Sequence, residues 1–75
     1  MSQLKVKFDA SGHRNGAVCN AHEFCNGGFD SCIIESTRWY QADVHEQEAI
    51  LLGVVRQRYP EVTWESASAI EVKQI

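Results

Sequence analysis

The stretch that decides the fold is DVHEQEAILLGVVRQRYP, residues 43–60. Asp43 can accept a hydrogen bond as an N-cap, and Glu46 three residues later fits the second position of a capping box. Pro60 ends the helix, because the residue before a proline avoids the α region. Between these limits the apolar side chains fall within an arc of about 200° on the helical wheel. They are Val44, Ile50, Leu51, Leu52, Val54, Val55 and Tyr59. We predict one amphipathic helix from Asp43 to Tyr59, lying across a sheet.

The residues before this helix favour strands. Leu4 to Phe8 alternates apolar and charged side chains with the period of a half-buried strand. Asn15-Gly16 can supply the positive φ angles of a hairpin turn, so Ala17 to Cys19 should return as a second strand. Ser31 to Tyr40 is rich in β-branched and aromatic residues, which predicts a third, central strand.

After the helix, Val62, Trp64, Ile70 and Val72 share one parity. They predict either one long strand or two short strands broken near residues 66–68. The fold class is therefore α+β: a three- to five-stranded antiparallel sheet with one amphipathic helix packed on one face, in the order β-β-β-α-β. Seventy-five residues predict a single domain, 1–75.

Composition narrows the classes of function. Apolar residues make up 44% of the chain, which is typical of a globular protein and argues against disorder. The formal charge of −3 opposes binding to duplex nucleic acid, which favours a basic surplus. No apolar run is long enough to span a bilayer, and the first residues lack the apolar core of a signal peptide. Three cysteines without an export signal predict a reducing, cytoplasmic location.

Four residues of the segment before the third strand have metal-ligand chemistry: Cys19, His22, Cys25 and Cys32. Three thiolates and one imidazole form an accepted structural zinc set, and zinc could tie a loop to a strand. The spacing crowds three ligands into seven residues, which is unlike the two separated pairs of familiar zinc sites. The alternative is that Cys19 and Cys32 are core residues and the other two are loop residues. Zinc is the only cofactor that this sequence suggests.

The same loop, from Asn20 to Asp30, carries two aromatic side chains, Phe24 and Phe29, around a glycine pair. Exposed aromatic residues on a loop are candidate anchors for a protein partner. We predict a partner-binding site at Phe24, Asn26, Phe29 and Asp30. The alternative is that both rings fold back over an edge of the sheet and enlarge a small core.

These observations predict a small non-enzymatic protein-binding module, such as an inhibitor or adaptor of a larger protein. Exposed sheet edges also make self-association an expectation. One alternative is a single-stranded nucleic-acid binder with basic residues and Trp39 or Tyr40 on the open sheet face. The basic residues would be Lys5, Lys7, Arg14 and Arg38. A small zinc-stabilised Cys/His domain is the other alternative.

One polar residue lies inside the apolar arc of the predicted helix. Glu48 would be partly buried there, and a buried carboxylate needs a partner. We expect it to pair with a cation such as Arg38. The alternative is that Glu48 lies in a pocket or at a dimer contact.

Overall fold

The computed structural model describes residues 2–25 and 28–75. Its elements in chain order are β1 (Gln3–Arg14), β2 (Ala17–Asn20), a 3₁₀ turn (Ala21–Phe24), β3 (Asp30–Glu35), α1 (Ser36–Gln41), α2 (Val44–Arg58) and β4 (Thr63–Gln74). The four strands form one antiparallel sheet, and α2 packs against it. The predicted α+β class is confirmed. None of the described helices has the length and apolar character needed to cross a membrane.

The long strand β1 is the centre of the sheet. β4 pairs with it from Leu4 to His13. β3 pairs with residues 3–8 and β2 with residues 11–14 of the same strand, so these two lie end to end along the opposite edge of β1. The prediction that the third strand is central was wrong, because β3 has β1 as its only strand partner among the described residues.

β1 extends six residues beyond the predicted strand, from Phe8 to Arg14. Its alternation continues through Ala10 and Gly12, which are buried on the inner face although neither is a large apolar residue. The turn is confined to Asn15 and Gly16, with φ angles of 53° and 81°. This is the predicted hairpin turn, since both central residues of a type I′ turn need positive φ.

The second half of the predicted strand Ser31 to Tyr40 is helical, so that part of the prediction was wrong. Gln3 pairs with Glu35, and beyond this pair β1 has ended. The chain turns at Ser36, whose N–H donates to the Ser2 carbonyl oxygen at 3.1 Å. Trp39 then folds back and is only 3% exposed. Because β1 offers no further residues to pair with, this segment cannot continue as a strand despite its β propensity.

The main helix α2 begins and ends where the sequence predicts. Asp43 Oδ1 accepts the Glu46 N–H at 2.9 Å, and Tyr59 is the C-cap. Leu51, Leu52 and Val55 are buried against the sheet. The apolar arc is narrower than predicted at its start, because Val44 is exposed.

β4 is one long strand with two irregularities. Its register with β1 shifts at Glu65 and at Ile70, each an extra residue relative to β1. A bulge of this kind turns the following side chains to the other face. Ile70 is therefore half exposed rather than inward, and Ala67 occupies a core position instead.

Two side chains of α2 reach the edge of β4 that faces away from β1. Glu48 Oε2 accepts the Ala67 N–H at 3.3 Å, and Arg56 Nη2 donates to the Trp64 carbonyl oxygen at 3.2 Å. Glu48 thus binds the β4 backbone rather than the cation we expected, Arg38. We call residues 64–67 of this edge the covered edge. Residues 69–74 are the open edge, where every residue except the partly buried Val72 is exposed.

Candidate functional site

Described residues between β2 and β3 line a surface cavity. It has a volume of about 310 Å³ and is lined by His22, Cys25, Gly28 and Phe29. The Phe29 side chain is 42% exposed, and its ring meets the His22 ring edge to face at 6.0 Å. The cavity therefore combines one aromatic wall with an imidazole and a thiol.

Asp9 fixes His22 at this cavity. Its carboxylate accepts the His22 backbone N–H at 3.1 Å through Oδ1 and lies 2.9 Å from the ring Nδ1 through Oδ2. A carboxylate at Nδ1 favours the tautomer with the proton on that nitrogen, which leaves Nε2 as an acceptor in the neutral ring. The two contacts orient both the backbone and the ring of His22.

The other loop aromatic, Phe24, faces inward. Its ring stacks on Tyr59 at 4.7 Å and meets Trp64 edge to face at 6.3 Å. Phe24 is half-buried and packs against the core. Of the two interpretations of the loop aromatics, Phe24 fits enlargement of the core and Phe29 fits surface exposure.

Arg58, near the C-terminal end of α2, holds the far side of the loop. Its Nη1 lies 2.7 Å from Asp30 Oδ1 and donates to the Ser31 carbonyl oxygen at 2.8 Å. Asp30, predicted as a partner-binding residue, is thus engaged within the fold. The fourth predicted residue, Asn26, lies outside the described residues.

The predicted zinc ligands have separate surroundings. His22 contacts Asp9, while the Cys25 Sγ lies 3.9 Å from the Tyr59 hydroxyl oxygen. Cys32 is buried on the inner face of β3, and Cys19 is half-buried at the core margin. In residues 2–25 and 28–75, no three His, Cys, Asp or Glu side chains are placed to hold a metal ion. Zinc binding therefore stays a prediction, which metal analysis of protein purified without chelator would test.

Burial raises the pKa of two groups, Cys32 and Tyr59. It raises the pKa of the Cys32 thiol, against the opposing effect of the nearby Arg58 guanidinium and with a smaller contribution from Asp30. The pKa of the Tyr59 hydroxyl is also raised, first by burial and then by its hydrogen bond with Cys25. Cys32 is therefore a neutral core thiol at physiological pH, as one of the two interpretations of the cysteines predicts.

The open sheet face does not gather the aromatic residues that the nucleic-acid hypothesis requires. Trp39 and Tyr40 lie on α1 rather than on a strand, and Trp39 is buried. Lys5 and Lys7 share the outer face of β1, where the first is directly opposite Lys73 and the second opposite Glu71 of β4. Trp39 and Tyr40 therefore provide no aromatic ring beside these lysines on which a base could stack.

Sequence reasoning missed Asp9 and the role of Arg58 at the loop. A signal for Asp9 was present: the hairpin register pairs Ser11 with Asn20, and two more residues along each strand place Asp9 opposite His22. The predicted strand ends at Phe8, one residue before Asp9. Nothing in the spacing of Arg58 and Asp30, 28 positions apart, indicates their contact.

Comparisons of the chain with protein-family models, with curated proteins and with solved structures find no match. The geometry of the molecule is therefore the basis for a functional proposal.

Proposed function

We propose that this chain is a small, non-enzymatic protein-binding module that acts as an inhibitor or adaptor of a larger protein. It would bind through the cavity lined by His22, Cys25, Gly28 and Phe29. The observation that carries the proposal is the exposed Phe29 ring at the rim of this cavity. Aromatic anchors surrounded by small and polar groups are typical of the energetic centres of protein interfaces.

The anchoring of the loop supports this proposal. Asp9 holds the segment where the 3₁₀ turn begins, and Arg58 holds it where β3 begins. Phe24 fixes the end of the 3₁₀ turn against Tyr59 and Trp64. A binding surface held at several points loses less conformational entropy when a partner docks.

The lining of the cavity favours one kind of partner. Phe29 offers apolar contact area, and His22 offers a ring nitrogen that is free of Asp9. A complementary protein surface would insert one apolar side chain next to Phe29 and place a hydrogen-bond donor near His22. A cysteine-dependent enzyme acting at this cavity would need a base to activate the Cys25 thiol. Within the described part of the chain, no hydrogen bond joins that thiol to the His22 ring.

Affinity capture with two matched variants tests the proposal. Phe29→Ala should lower recovery of a stoichiometric partner from cells of the natural source about tenfold or more, because it truncates the anchor. Ile33→Ala removes apolar surface of similar exposure, 53%, from a position on β3 that does not line the cavity, and should leave recovery unchanged. Thermal unfolding of both variants should stay close to that of the parent protein.

Equal recovery by Phe29→Ala and the parent protein would overturn the proposal. So would equal losses with both variants, since binding would then not be centred on the cavity. Phe24→Ala distinguishes a residue that holds the loop on the core from one that contacts the partner. It should destabilise the fold, because it removes a ring that stacks on Tyr59.

We also propose that the protein is cytoplasmic. All three cysteines are free thiols, and free thiols are typical of a reducing compartment. Fractionation of the natural source with an antibody against the protein tests this placement.

A further inference from the structure

We propose that two copies of this chain associate through the open edge of β4, with Val72 of one copy opposite Val72 of the other. The association would join two sheets into one continuous antiparallel sheet about a two-fold axis. This surface is separate from the cavity around Phe29, so the proposal does not depend on the function proposed above.

The backbone of the open edge has hydrogen-bonding groups to offer. The Ile75 N–H donates to the Gln3 carbonyl oxygen at 3.0 Å, toward β1. In an antiparallel ladder, residues alternate between facing the partner strand and facing away. Val72 and Gln74 therefore direct their N–H and C=O groups outward. Among the described residues, β4 has no strand partner on this side.

Side chains of the helix hydrogen-bond one part of this edge, and none of the described helix residues hydrogen-bonds the other part. Glu48 and Arg56 bind backbone groups of Ala67 and Trp64, which blocks strand addition along the covered edge. The next residues with outward backbone groups belong to the open edge. A strand that adds to β4 must therefore pair with residues 69–74.

Charge selects a second copy as the occupant. With Val72 opposite Val72, Glu71 of each copy lies opposite Lys73 of the other, and both pairs form at once. An axis at Lys73 would oppose two lysines, and an axis at Glu71 would oppose two glutamates. Opposite charges across an antiparallel pair stabilise it, and like charges destabilise it. The edge is self-complementary in one register.

The environment of Lys73 within one copy favours the same pairing. Lys73 lies directly opposite Lys5 of β1, a like-charge pair. Its carboxylate neighbour Glu71 is at 3.9 Å on the same strand. In the two-fold pairing, Lys73 gains the Glu71 carboxylate of the second copy. Ile70, half exposed beside this point, would lie opposite Gln74 and lose contact with water.

Charge-reversal variants test the proposal by sedimentation velocity and native mass spectrometry. The parent protein should form a dimer as its concentration rises. Lys73→Glu and Glu71→Lys should each weaken self-association about tenfold or more, since each opposes like charges twice. Mixing these two variants should give a heterodimer, because every opposed pair is then complementary. Both substitutions alter exposed side chains, so folding checked by circular dichroism should be kept.

The outcomes separate this interface from any other. A parent protein that stays monomeric at its solubility limit would overturn the proposal, as would variants that dimerise as well as the parent. Mixed variants that remain monomeric would also overturn it. Hydrogen exchange locates the contact independently: the Val72 and Gln74 amides should exchange more slowly in the dimer than in the diluted monomer.

Discussion

The outer edge of β4 has two parts that are built differently. Along the covered edge, buried residues Trp64 and Ala67 lie beneath α2, and helix side chains bind the strand's backbone groups. Along the open edge, no α2 side chain of the described residues hydrogen-bonds the strand, and Glu71 and Lys73 are exposed to water. Bulges at Glu65 and Ile70 lie close to the limits of the covered part.

The difference shows how a single helix can protect a sheet that is longer than the helix. An edge strand is exposed to unwanted pairing, and proteins cover it or place charges and bulges on it. Here α2 covers the part that it reaches. The remainder carries charges that discourage most added strands but that match a second copy of the same strand.

The largest expected effect lies at Gly12 of β1, which is directly opposite Trp64 of the covered edge. A Cβ atom on this residue would lie 2.1 Å from the Thr63 carbonyl oxygen and 2.7 Å from the Trp64 Cα. Gly12→Ala should therefore cost about 3 kcal/mol or more of unfolding free energy, measured by urea denaturation. At the open edge, Ile70→Ala should cost less than about 1 kcal/mol, because this side chain is half exposed.

Gly53→Ala is the control for the glycine substitution. A Cβ atom there meets no other atom within 4 Å, and the residue lies on the exposed side of α2. The free energy of unfolding of this variant should exceed that of the parent protein by up to about 1 kcal/mol. A Gly12→Ala protein as stable as the parent would show that β1 and β4 are not in close contact at this point.

A smaller effect should follow from removing the Glu48 carboxylate. Glu48→Ala leaves the Ala67 N–H without its acceptor and should cost about 1 kcal/mol, with faster hydrogen exchange at the Ala67 amide. Glu48→Gln keeps a carbonyl acceptor and should change both quantities less. Unchanged exchange at Ala67 in the alanine variant would contradict the distinction between the covered and open edges.

The smallest effect should appear only at alkaline pH, in the core behind the open edge. There Cys32 and Val72 both pair with Val6, one on each side of it. The pKa of Cys32 is raised above its reference value of 9.0, so the folded state favours the neutral thiol. The stability that comes from keeping the Cys32 thiol neutral is present below pH 9. It is lost as the pH rises through the folded-state pKa of Cys32. The free energy of unfolding, measured with urea at a series of pH values, should decline above pH 9.

Cys32→Ala is the comparison for that measurement. The variant should be less stable at neutral pH, because it leaves space in the core, but its stability should fall less steeply in alkali. An identical alkaline decline in the parent and the variant would assign the decline to other groups, of which Tyr59 is one.

The sequence predicts the parts of this fold that local chemistry determines. The cap at Asp43, the stop at Pro60 and the Asn15-Gly16 turn act over a few residues, and each is found where expected. α1 was missed because its conformation depends on where β1 ends, which is a tertiary relation.

The candidate site shows the same limit. The sequence indicated the loop and its Phe29, but the inward packing of Phe24 depends on Tyr59 and Trp64, which come more than 30 residues later. The Arg58–Asp30 contact likewise joins the end of α2 to the start of β3. Such contacts have no periodic pattern in the sequence.

The pairing of β1 with β4 has a consequence for how the chain reaches its fold. Leu4 pairs with Gln74 and His13 with Thr63, so the central strand pairs with residues 50 to 70 positions later in the sequence. The β1–β2 hairpin is local and can form within microseconds, whereas contacts between distant residues slow folding to milliseconds or longer. During that interval one edge of β1 is bare and open to other chains. Refolding yield should therefore fall as protein concentration rises, even though the finished sheet hides that edge completely.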